Sequence, residues 1–271
     1  MHRLFLANGT IETENPAFVM GIVNATPDSF WEGSRGGVDH ALQLIDEGAD
    51  ILDIGGESTR PGSDYVTSAE EFQRVIPLVR AIRRYSDIPI SIDTRKYEIM
   101  KPAFYEGADI LNDVSALEDD EKTSLFAAEV KIPVILMHKR GVPKTMHFNE
   151  DFNVGFSEVS EYLERRAEFA LSMGIEPEKI IVDPGIGFGK NLRANIELIK
   201  NCGSLCGGAY PVLMALSRKR CIGEMTGRDV GERLCGTLAA NVISVLNGAT
   251  LLRVHDVKET IDTLNVLRYT I

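Results

Sequence analysis

The stretch that decides the fold is EGADILDIGGESTRPG, residues 47–62. Its second residue, Gly48, can take the left-handed backbone conformation at which helices commonly end. A short apolar run, residues 50–54, follows at once and opens into a glycine-rich polar segment. Helix end, strand and polar loop in this order predict one unit of a parallel sheet whose crossover connections are helices.

The same arrangement recurs along the chain. Helices are predicted to end at EGAD (47–50), EGAD (106–109), MGI (173–175) and NGAT (247–250), each directly before an apolar run. The eight apolar runs cover residues 18–23, 50–54, 88–92, 109–111, 132–137, 179–182, 211–216 and 250–254. Eight strand-then-helix units predict an α/β protein of one domain, residues 1–271, and favour a closed (β/α)8 TIM barrel over an open doubly wound sheet.

One predicted helix is marked both along its length and at its start. Apolar side chains recur with helical spacing at Phe72, Val75, Ile76, Val79 and Ile82. The Thr-Ser pair at 67–68, followed three residues later by the Glu pair at 70–71, predicts a capping box.

Composition limits the classes of function. The chain has 271 residues and a formal charge of -11, from 29 basic and 40 acidic residues, which disfavours nucleic-acid and anionic-membrane surfaces. No apolar run reaches the roughly 18 to 20 residues that span a bilayer, and the N-terminus lacks the pattern of a signal peptide. The four cysteines are Cys202, Cys206, Cys221 and Cys235. Their number and spacing indicate reduced thiols and a cytoplasmic protein.

Each apolar run exits into a polar residue with useful chemistry. In chain order these are Asn24, Asp53, Asp93, Asn112, His138, Asp183, Ser217 with Lys219, and Arg253 with His255. Asp, Asn and Ser also form turns and helix caps, so any one of them has a structural alternative. Lys, Arg and His are not favoured caps, and barrel enzymes build their sites at these strand ends, so the full set predicts an active site there.

The types of these residues suggest two kinds of ligand group. Arg253 and His255 lie two apart, on one face of an extended segment, and with Arg60 they could hold a pyrophosphate. Asp93 and Asn112 are suited to the donor and acceptor edge of a heterocycle, or else cap the next helices. Asn24 could give one oxygen to Mg²⁺ otherwise bound by phosphates and water. The glycines of VDPGIGFGKN (182–191) miss the spacing of a dinucleotide-binding loop.

The sequence resembles the bacterial dihydropteroate synthase family. The resemblance rests on NATPDSF, DIGGESTRPG, SIDTRK, ILNDVSAL, MHKRGVPKTM, VDPGIGFGKN, SRK and RVHDVKET, which occur in the family's order over nearly the whole chain. It implies a (β/α)8 barrel, usually a homodimer, whose partners are small-molecule substrates. The implied reaction uses Mg²⁺ and joins 6-hydroxymethyl-7,8-dihydropterin diphosphate to 4-aminobenzoate, with release of diphosphate.

The resemblance also implies roles for individual residues. The implied pterin site is Asp93, Asn112, Met137, Asp183, Phe188 and Lys219. The implied diphosphate site is Asn24, Thr59, Arg60, Arg253 and His255, with the metal at Asn24. The implied aminobenzoate site is Pro27, Phe30, Thr59, Pro61, Phe188, Ser217 and Lys219. The implied catalytic residues are Asp93, Lys219, Arg253 and His255.

Two segments are expected to be mobile substrate loops, residues 25–37 and residues 55–67, with Trp31 on the first of them near the site. The sequence departs from the family at Ala215, where many relatives have glycine, and at FWEGSRGG (30–37). Two other functions stay open on the sequence: a pterin-binding methyltransferase barrel, which would not need the anion-binding residues, and a pterin-binding paralogue without catalysis.

Overall fold

All eight apolar runs form strands, in a computed structural model that describes residues 1–25, 35–57, 65–141 and 154–270. These strands are β3 (Phe18–Asn24), β4 (Ile51–Gly55), β5 (Ile90–Asp93), β6 (Ile110–Asp113), β7 (Val134–Met137), β8 (Ile180–Asp183), β9 (Leu213–Met214) and β10 (Leu251–Val254). A hairpin that the sequence did not suggest precedes them, made of β1 (His2–Phe5) and β2 (Thr10–Thr13).

The eight strands make one parallel sheet. Its strand order is β8-β7-β6-β5-β4-β3-β10-β9. A parallel bridge between Val182 and Val212 joins the two outer strands of this order, so the sheet closes on itself. The predicted (β/α)8 TIM barrel is therefore confirmed.

Nine α-helices accompany the strands in the described part of the chain. They are α1 (Arg35–Asp46), α2 (Ser68–Ile82), α3 (Tyr97–Tyr105), α4 (Glu121–Val130), α5 (Phe156–Ser172), α6 (Leu192–Asn201), α7 (Arg220–Thr226), α8 (Leu234–Leu246) and α9 (Val257–Arg268). The glycines predicted to end helices, Gly48, Gly107, Gly174 and Gly248, all have φ between 94° and 106°. No helix among the described residues is long and apolar enough to cross a membrane.

Alternation along the strands separates two layers of side chains. One set faces the helices, such as Leu52, Ile54, Ile92 and Val182, and belongs to the large outer core. The other set fills the barrel interior and comprises Leu4, Leu6, Phe18, Met20, Ile51, Ile110, Ile135, Ile181, Leu213, Ala215 and Leu251. Leu4 and Leu6 come from the β1 strand and the residue after it, so the hairpin contributes to the floor of the barrel.

The next inward position on most strands is polar. Two residues beyond Ile51, Ile110, Ile181 and Leu251 along their strands lie Asp53, Asn112, Asp183 and Arg253. Because all strands run in one direction, these side chains gather at the same end of the barrel. The period of two thus places apolar residues on the floor and the candidate site residues at the mouth.

Helix α2 confirms the capping box and corrects one residue of the predicted stripe. The Thr67 side chain accepts from the Glu70 backbone N–H at 3.2 Å, and the Glu70 carboxylate accepts from the Thr67 N–H at 2.9 Å. Val75, Ile76, Val79 and Ile82 are buried as predicted, whereas Phe72 is exposed. The buried position of the first turn is held instead by Glu71, which has ion-pair partners in the interior.

The structure shortens the two predicted substrate loops. Arg35 already begins α1, so the first loop does not extend to residue 37. A side chain at Gly37 would press on Leu78 of α2, which indicates close packing of the first turn of α1 on that helix. The second loop begins later than residue 55, because Gly55 is the last residue of β4. The mobility of both loops stays a prediction.

Candidate active site

An arginine held by two carboxylates forms the centre of the site. Arg253 on β10 donates from Nε to Asp53 Oδ2 at 2.6 Å and from a terminal nitrogen to Asp93 Oδ2 at 2.9 Å. Although burial alone would lower the pKa of Arg253, the two carboxylates raise it above its ordinary value. The arginine is therefore a permanent cation at the barrel mouth, and one guanidinium nitrogen has no hydrogen-bond partner among the described residues.

Asp93 lies in surroundings that oppose its ionisation. Burial raises the pKa of its carboxyl to about 7, against the attraction of Arg253, and the charges of Asp53, Glu71 and Asp113 raise it further. Its carboxylate keeps 12% of its surface exposed, which is enough to meet a ligand. The charge of Asp93 consequently changes near neutral pH, a property common in catalytic groups.

Asn112 on β6 is adjacent to Asp93 and is buried. The two residues are paired in register between parallel strands. The Asn112 amide nitrogen lies 3.3 Å from each carboxylate oxygen of Asp53, which is fully buried. Asn112 thus makes its hydrogen bonds to a barrel carboxylate and does not act as a helix cap.

Asp183 ends β8 on the far side of the mouth. Its carboxylate accepts from the Gly185 N–H at 2.7 Å, and burial raises its pKa while the nearby Lys219 lowers it. Gly185 has φ of 66°, and any side chain there would collide with the carbonyl oxygen of His138. Glycine at position 185 therefore lets this segment pack closely against the backbone of His138. It also places a backbone N–H against the Asp183 carboxylate.

Of the three consecutive basic residues 218–220, Lys219 is the one that contacts the glycine-rich segment 182–191. It donates to the Ile186 carbonyl at 2.6 Å and lies 4.8 Å from the centre of the Phe188 ring. Burial lowers its pKa to about 8, against the attraction of Asp183. Arg218 instead pairs with Asp256 at 2.7 Å, and Arg220 pairs with Glu224 on the surface.

His255 and Ser217 meet beside Lys219. The Ser217 hydroxyl lies 3.0 Å from Nδ1 of His255 and accepts from the His255 backbone N–H at 3.2 Å. His255 lies two residues after Arg253 along the same strand end, as the sequence predicted. The pair orients the imidazole at the edge of the mouth.

Sequence reasoning did not identify Lys190, the last basic residue of the glycine-rich segment. Its ammonium lies 2.8 Å from Nδ1 of His138 and 2.9 to 3.2 Å from the carbonyl oxygens of Gly185, Phe188 and His138, so its three N–H groups are shared among four acceptors. Burial lowers the pKa of His138 to about 3, so the ring is neutral and accepts at Nδ1. A lysine at the end of a glycine-rich run was the available signal, because such a run presents many carbonyls to a donor.

A second group that the sequence did not reveal is the Lys96 cluster, made of Glu57, Val66, Glu71, Thr94, Arg95 and Lys96. The Lys96 ammonium contacts Glu71 Oε2 at 2.6 Å, Glu57 Oε2 at 2.9 Å and the Val66 carbonyl at 2.8 Å. Thr94 donates to Glu71 at 2.6 Å, and Arg95 donates to Glu57 at 3.2 Å. The cluster therefore holds together Glu57 and Val66, which lie on either side of residues 58–64 in the sequence.

The other predicted site residues have simpler surroundings. Asn24 ends β3 and is half-buried beside Gly55, Met137 is buried at the end of β7, and Ala215 packs in the barrel interior. Within the described ranges, no group of three or more His, Cys, Asp or Glu side chains could hold a metal ion. Pro27, Phe30, Trp31, Thr59, Arg60 and Pro61 lie outside the described residues.

The chain is similar to proteins of one family. Residues 20–255 match the pterin binding enzyme family. The dihydropteroate synthase of Neisseria meningitidis serogroup B is 46% identical, over 92% of this chain and 90% of that protein. The Xanthomonas albilineans dihydropteroate synthase solved with 4-aminobenzoic acid has a TM-score of 0.90 at 42% identity, covering 99% of this chain and 97% of that one.

A further structure of the Xanthomonas albilineans enzyme, in complex with 7,8-dihydropteroate, has a TM-score of 0.87 at 39% identity and covers 99% of this chain and 98% of that one. The chain therefore belongs to the pterin-binding enzyme family and, within it, to the dihydropteroate synthases.

Proposed function

We propose that this chain joins 6-hydroxymethyl-7,8-dihydropterin diphosphate to 4-aminobenzoate, forming 7,8-dihydropteroate and releasing diphosphate. The observation that carries the proposal is the gathering of Asp93, Asn112 and Asp183 with Arg253 and Lys219 at one end of the barrel. Relatives solved with 4-aminobenzoic acid and with 7,8-dihydropteroate support the two substrates.

The pterin is proposed to bind between Asp183 and Asp93. The Asp183 carboxylate would accept from the amino-pyrimidinone edge, while the Lys219 ammonium would donate to the ring carbonyl and a ring nitrogen. Met137 and Phe188 supply apolar surface for the ring. A buried site with these donors and acceptors rejects rings that lack their partners, because its own polar groups would be left unpaired.

Charge separation is proposed to drive the chemical step. As the bond between the pterin methylene and the diphosphate oxygen lengthens, positive charge develops on the methylene and negative charge on the leaving group. Ionised Asp93 would stabilise the first, and Arg253 and His255, with Thr59 and Arg60, would stabilise the second. The amine of 4-aminobenzoate, in a site that includes Pro27, Phe30, Pro61 and Ser217, then attacks the methylene, and the new C–N bond is left neutral when the nitrogen loses one proton to water.

Magnesium is proposed to bind together with the diphosphate. Asn24 offers one amide oxygen at the end of β3, which suits an ion that keeps several waters and takes most other ligands from phosphate. When bound, Mg²⁺ would neutralise charge on the leaving diphosphate. Calorimetry tests this: Mg²⁺ should bind measurably only with the pterin diphosphate present, and Asn24→Ala should weaken that binding.

Turnover assays with purified protein test the reaction. The wild type should form dihydropteroate and release diphosphate at equal rates. Asp183→Ala should weaken the binding of 6-hydroxymethylpterin by about 100-fold or more, because it removes a charged acceptor from a buried edge. Asp87→Ala, at an exposed aspartate between α2 and β5, is the matched control and should bind like the wild type. Bound pterin without product would refute the reaction.

A homodimer is proposed to form through helix α8. This helix carries no charged side chain, although it lies on the outside of the barrel, and Ile243 and Leu246, one turn apart, are 45% and 57% exposed. Val266 on the neighbouring α9 is 66% exposed. Light scattering should show a dimer that Ile243→Glu dissociates and that Leu125→Glu, at an exposed leucine of α4, leaves intact.

We further propose a cytoplasmic location, because the four cysteines are all free thiols.

A further inference from the structure

We propose that Asp53 is a positioning residue of the pterin pocket, an inference that rests on the proposed function. Its carboxylate fixes the Asn112 amide so that the oxygen of that amide is offered to the pterin. The same carboxylate holds the Arg253 side chain in place beside Asp93. The Asp53 side chain is fully buried, so it is not expected to contact the substrate. It acts through the residues that it holds in place.

The geometry assigns two tasks to one carboxylate. Asp53 Oδ2 accepts from Arg253 Nε at 2.6 Å, the shorter of the two ion pairs that the arginine makes. Both Asp53 oxygens also face the Asn112 nitrogen at 3.3 Å. Because Nε is the most constrained nitrogen of the guanidinium, this contact sets the plane of the group, and the terminal nitrogen then reaches Asp93 at 2.9 Å.

The orientation of the Asn112 amide follows from this contact. The amide nitrogen is the only donor of that side chain, and an ionised carboxylate only accepts, so the nitrogen must be the atom that faces Asp53. The amide oxygen lies on the other side of the group. Asn112 therefore presents an acceptor to a pterin N–H, and a ring that offers only acceptors at that place would be rejected.

The Asp53 charge also acts on Asp93 across the neighbouring strand. The charged groups that act on Asp93 are Arg253 from β10, Asp53 from β4, Glu71 from α2, Asp113 from β6 and Lys219, which directly precedes α7. Asp53 is one of the negative charges that disfavour ionisation of Asp93. Neutralising Asp53 removes this repulsion and leaves Arg253 to pair with Asp93 alone, and both changes favour the ionised form of Asp93.

The variant that tests the proposal is Asp53→Asn, which keeps the shape and removes the charge. It should bind 6-hydroxymethylpterin about 10- to 100-fold more weakly, because the Asn112 amide loses its fixed orientation. The acid limb of the pH profile of kcat/KM, which reports Asp93 in the free enzyme, should move to lower pH. The control is Asp50→Asn. Asp50 directly precedes β4, and its carboxylate accepts from the Val19 backbone N–H. This variant should show neither change.

A double-mutant cycle separates positioning from a merely structural role. Asn112→Ala should weaken pterin binding by a similar factor. The variant that carries both Asp53→Asn and Asn112→Ala should bind pterin no more weakly than the single variant with the lower affinity. Additive losses overturn the proposal, as does an acid limb that stays at the wild-type pH. If Asp53→Asn does not fold, Asp53→Ser, which is smaller and keeps one acceptor, is carried through the same measurements.

The outcome is distinguishable from a failure of the proposed function. Wild-type protein that binds 6-hydroxymethylpterin but makes no dihydropteroate refutes the reaction, and the coupling between Asp53 and Asn112 is still measured by binding. A wild type that turns over, together with an Asp53→Asn variant of unchanged pterin affinity, refutes the positioning role alone.

Discussion

Removing the ammonium of the Lys96 cluster should destabilise the protein far more than a surface ion pair does. In Lys96→Met, Glu71, whose side chain is 1% exposed, loses the one cation it pairs with among the described residues, while Glu57, 8% exposed, keeps only its pair with Arg95. Breaking a buried pair by removing one partner costs about 3 to 5 kcal/mol, because a buried charge is left without compensation. For a chain of 271 residues, such a loss lowers the melting temperature by about 5 to 9 °C.

Urea denaturation of the wild type and two variants measures the effect. Lys131→Met is the matched control, since Lys131 is 64% exposed and its pair with Glu176 at 3.0 Å should contribute no more than about 1 kcal/mol. The free energies of unfolding should therefore differ between the two variants by at least about 2 kcal/mol. Equal losses in Lys96→Met and Lys131→Met would refute the reasoning.

The same variant should also change catalysis in one direction. Lys96 binds Glu57 and the Val66 carbonyl, which lie on either side of the predicted substrate residues Thr59, Arg60 and Pro61 in the sequence, so its removal takes away contacts next to them. The KM for 4-aminobenzoate should rise, while affinity for 6-hydroxymethylpterin stays within a factor of about two. A variant with lowered stability and unchanged KM would mean that the cluster serves the fold alone.

Three more predictions follow from buried titratable groups. Asp93→Asn should be inactive yet more stable than the wild type at alkaline pH. Burial raises the folded pKa of Asp93 to about 7 from an ordinary 3.8, so its stability contribution is present below pH 3.8 and lost as pH rises through 7. The gain in melting temperature of the variant should therefore be larger at pH 8 than at pH 4. Lys190→Met removes the donor shared by the His138 ring and the carbonyls of His138 and Phe188, and it should weaken pterin binding about 10-fold, whereas Lys200→Met, at an exposed lysine of α6, should not; equal affinities would contradict the role of Lys190. In a thiol titration with an aromatic disulfide reagent, the native protein should react at Cys235 alone and the unfolded protein at all four cysteines, because the other three are buried; more than one fast-reacting native thiol would be inconsistent with this packing.

The barrel was predictable because each unit carries its own signals. A glycine that ends a helix, an apolar run and a polar strand end occur in sequence order within about 20 residues, and parallel strands with helical crossovers then have few alternatives. The same alternation predicts the residues at the mouth. Asn112, Asp183 and Arg253 each lie two residues beyond an inward apolar residue of their strand, and Asp93 pairs in register with Asn112. Local periodicity therefore gives both the fold and the list of residues at its mouth.

The partners of those residues were not predictable in the same way. Asp53 and Arg253 are 200 positions apart, and Lys96 meets Glu57 over 39 positions, so no local spacing relates them. The exposed Phe72 is a similar case, because the helical stripe does not reveal that Glu71 is buried in an ion pair with Lys96. The floor hairpin escaped prediction because two strands of four residues carry too few apolar positions to form a period.

The separation of an apolar floor from a polar mouth inside the barrel also indicates how new chemistry could be introduced into this protein. Floor residues such as Met20 and Ile135 and outward residues such as Ile54 are set apart, by one or two steps along each strand, from the groups that meet a ligand. A library that keeps the buried Asp53–Arg253 pair and varies the other inward positions near the mouth would leave the floor residues and the outward apolar residues of each strand unchanged. Recognition of other heterocycles should therefore be accessible by selection with little loss of expressible protein.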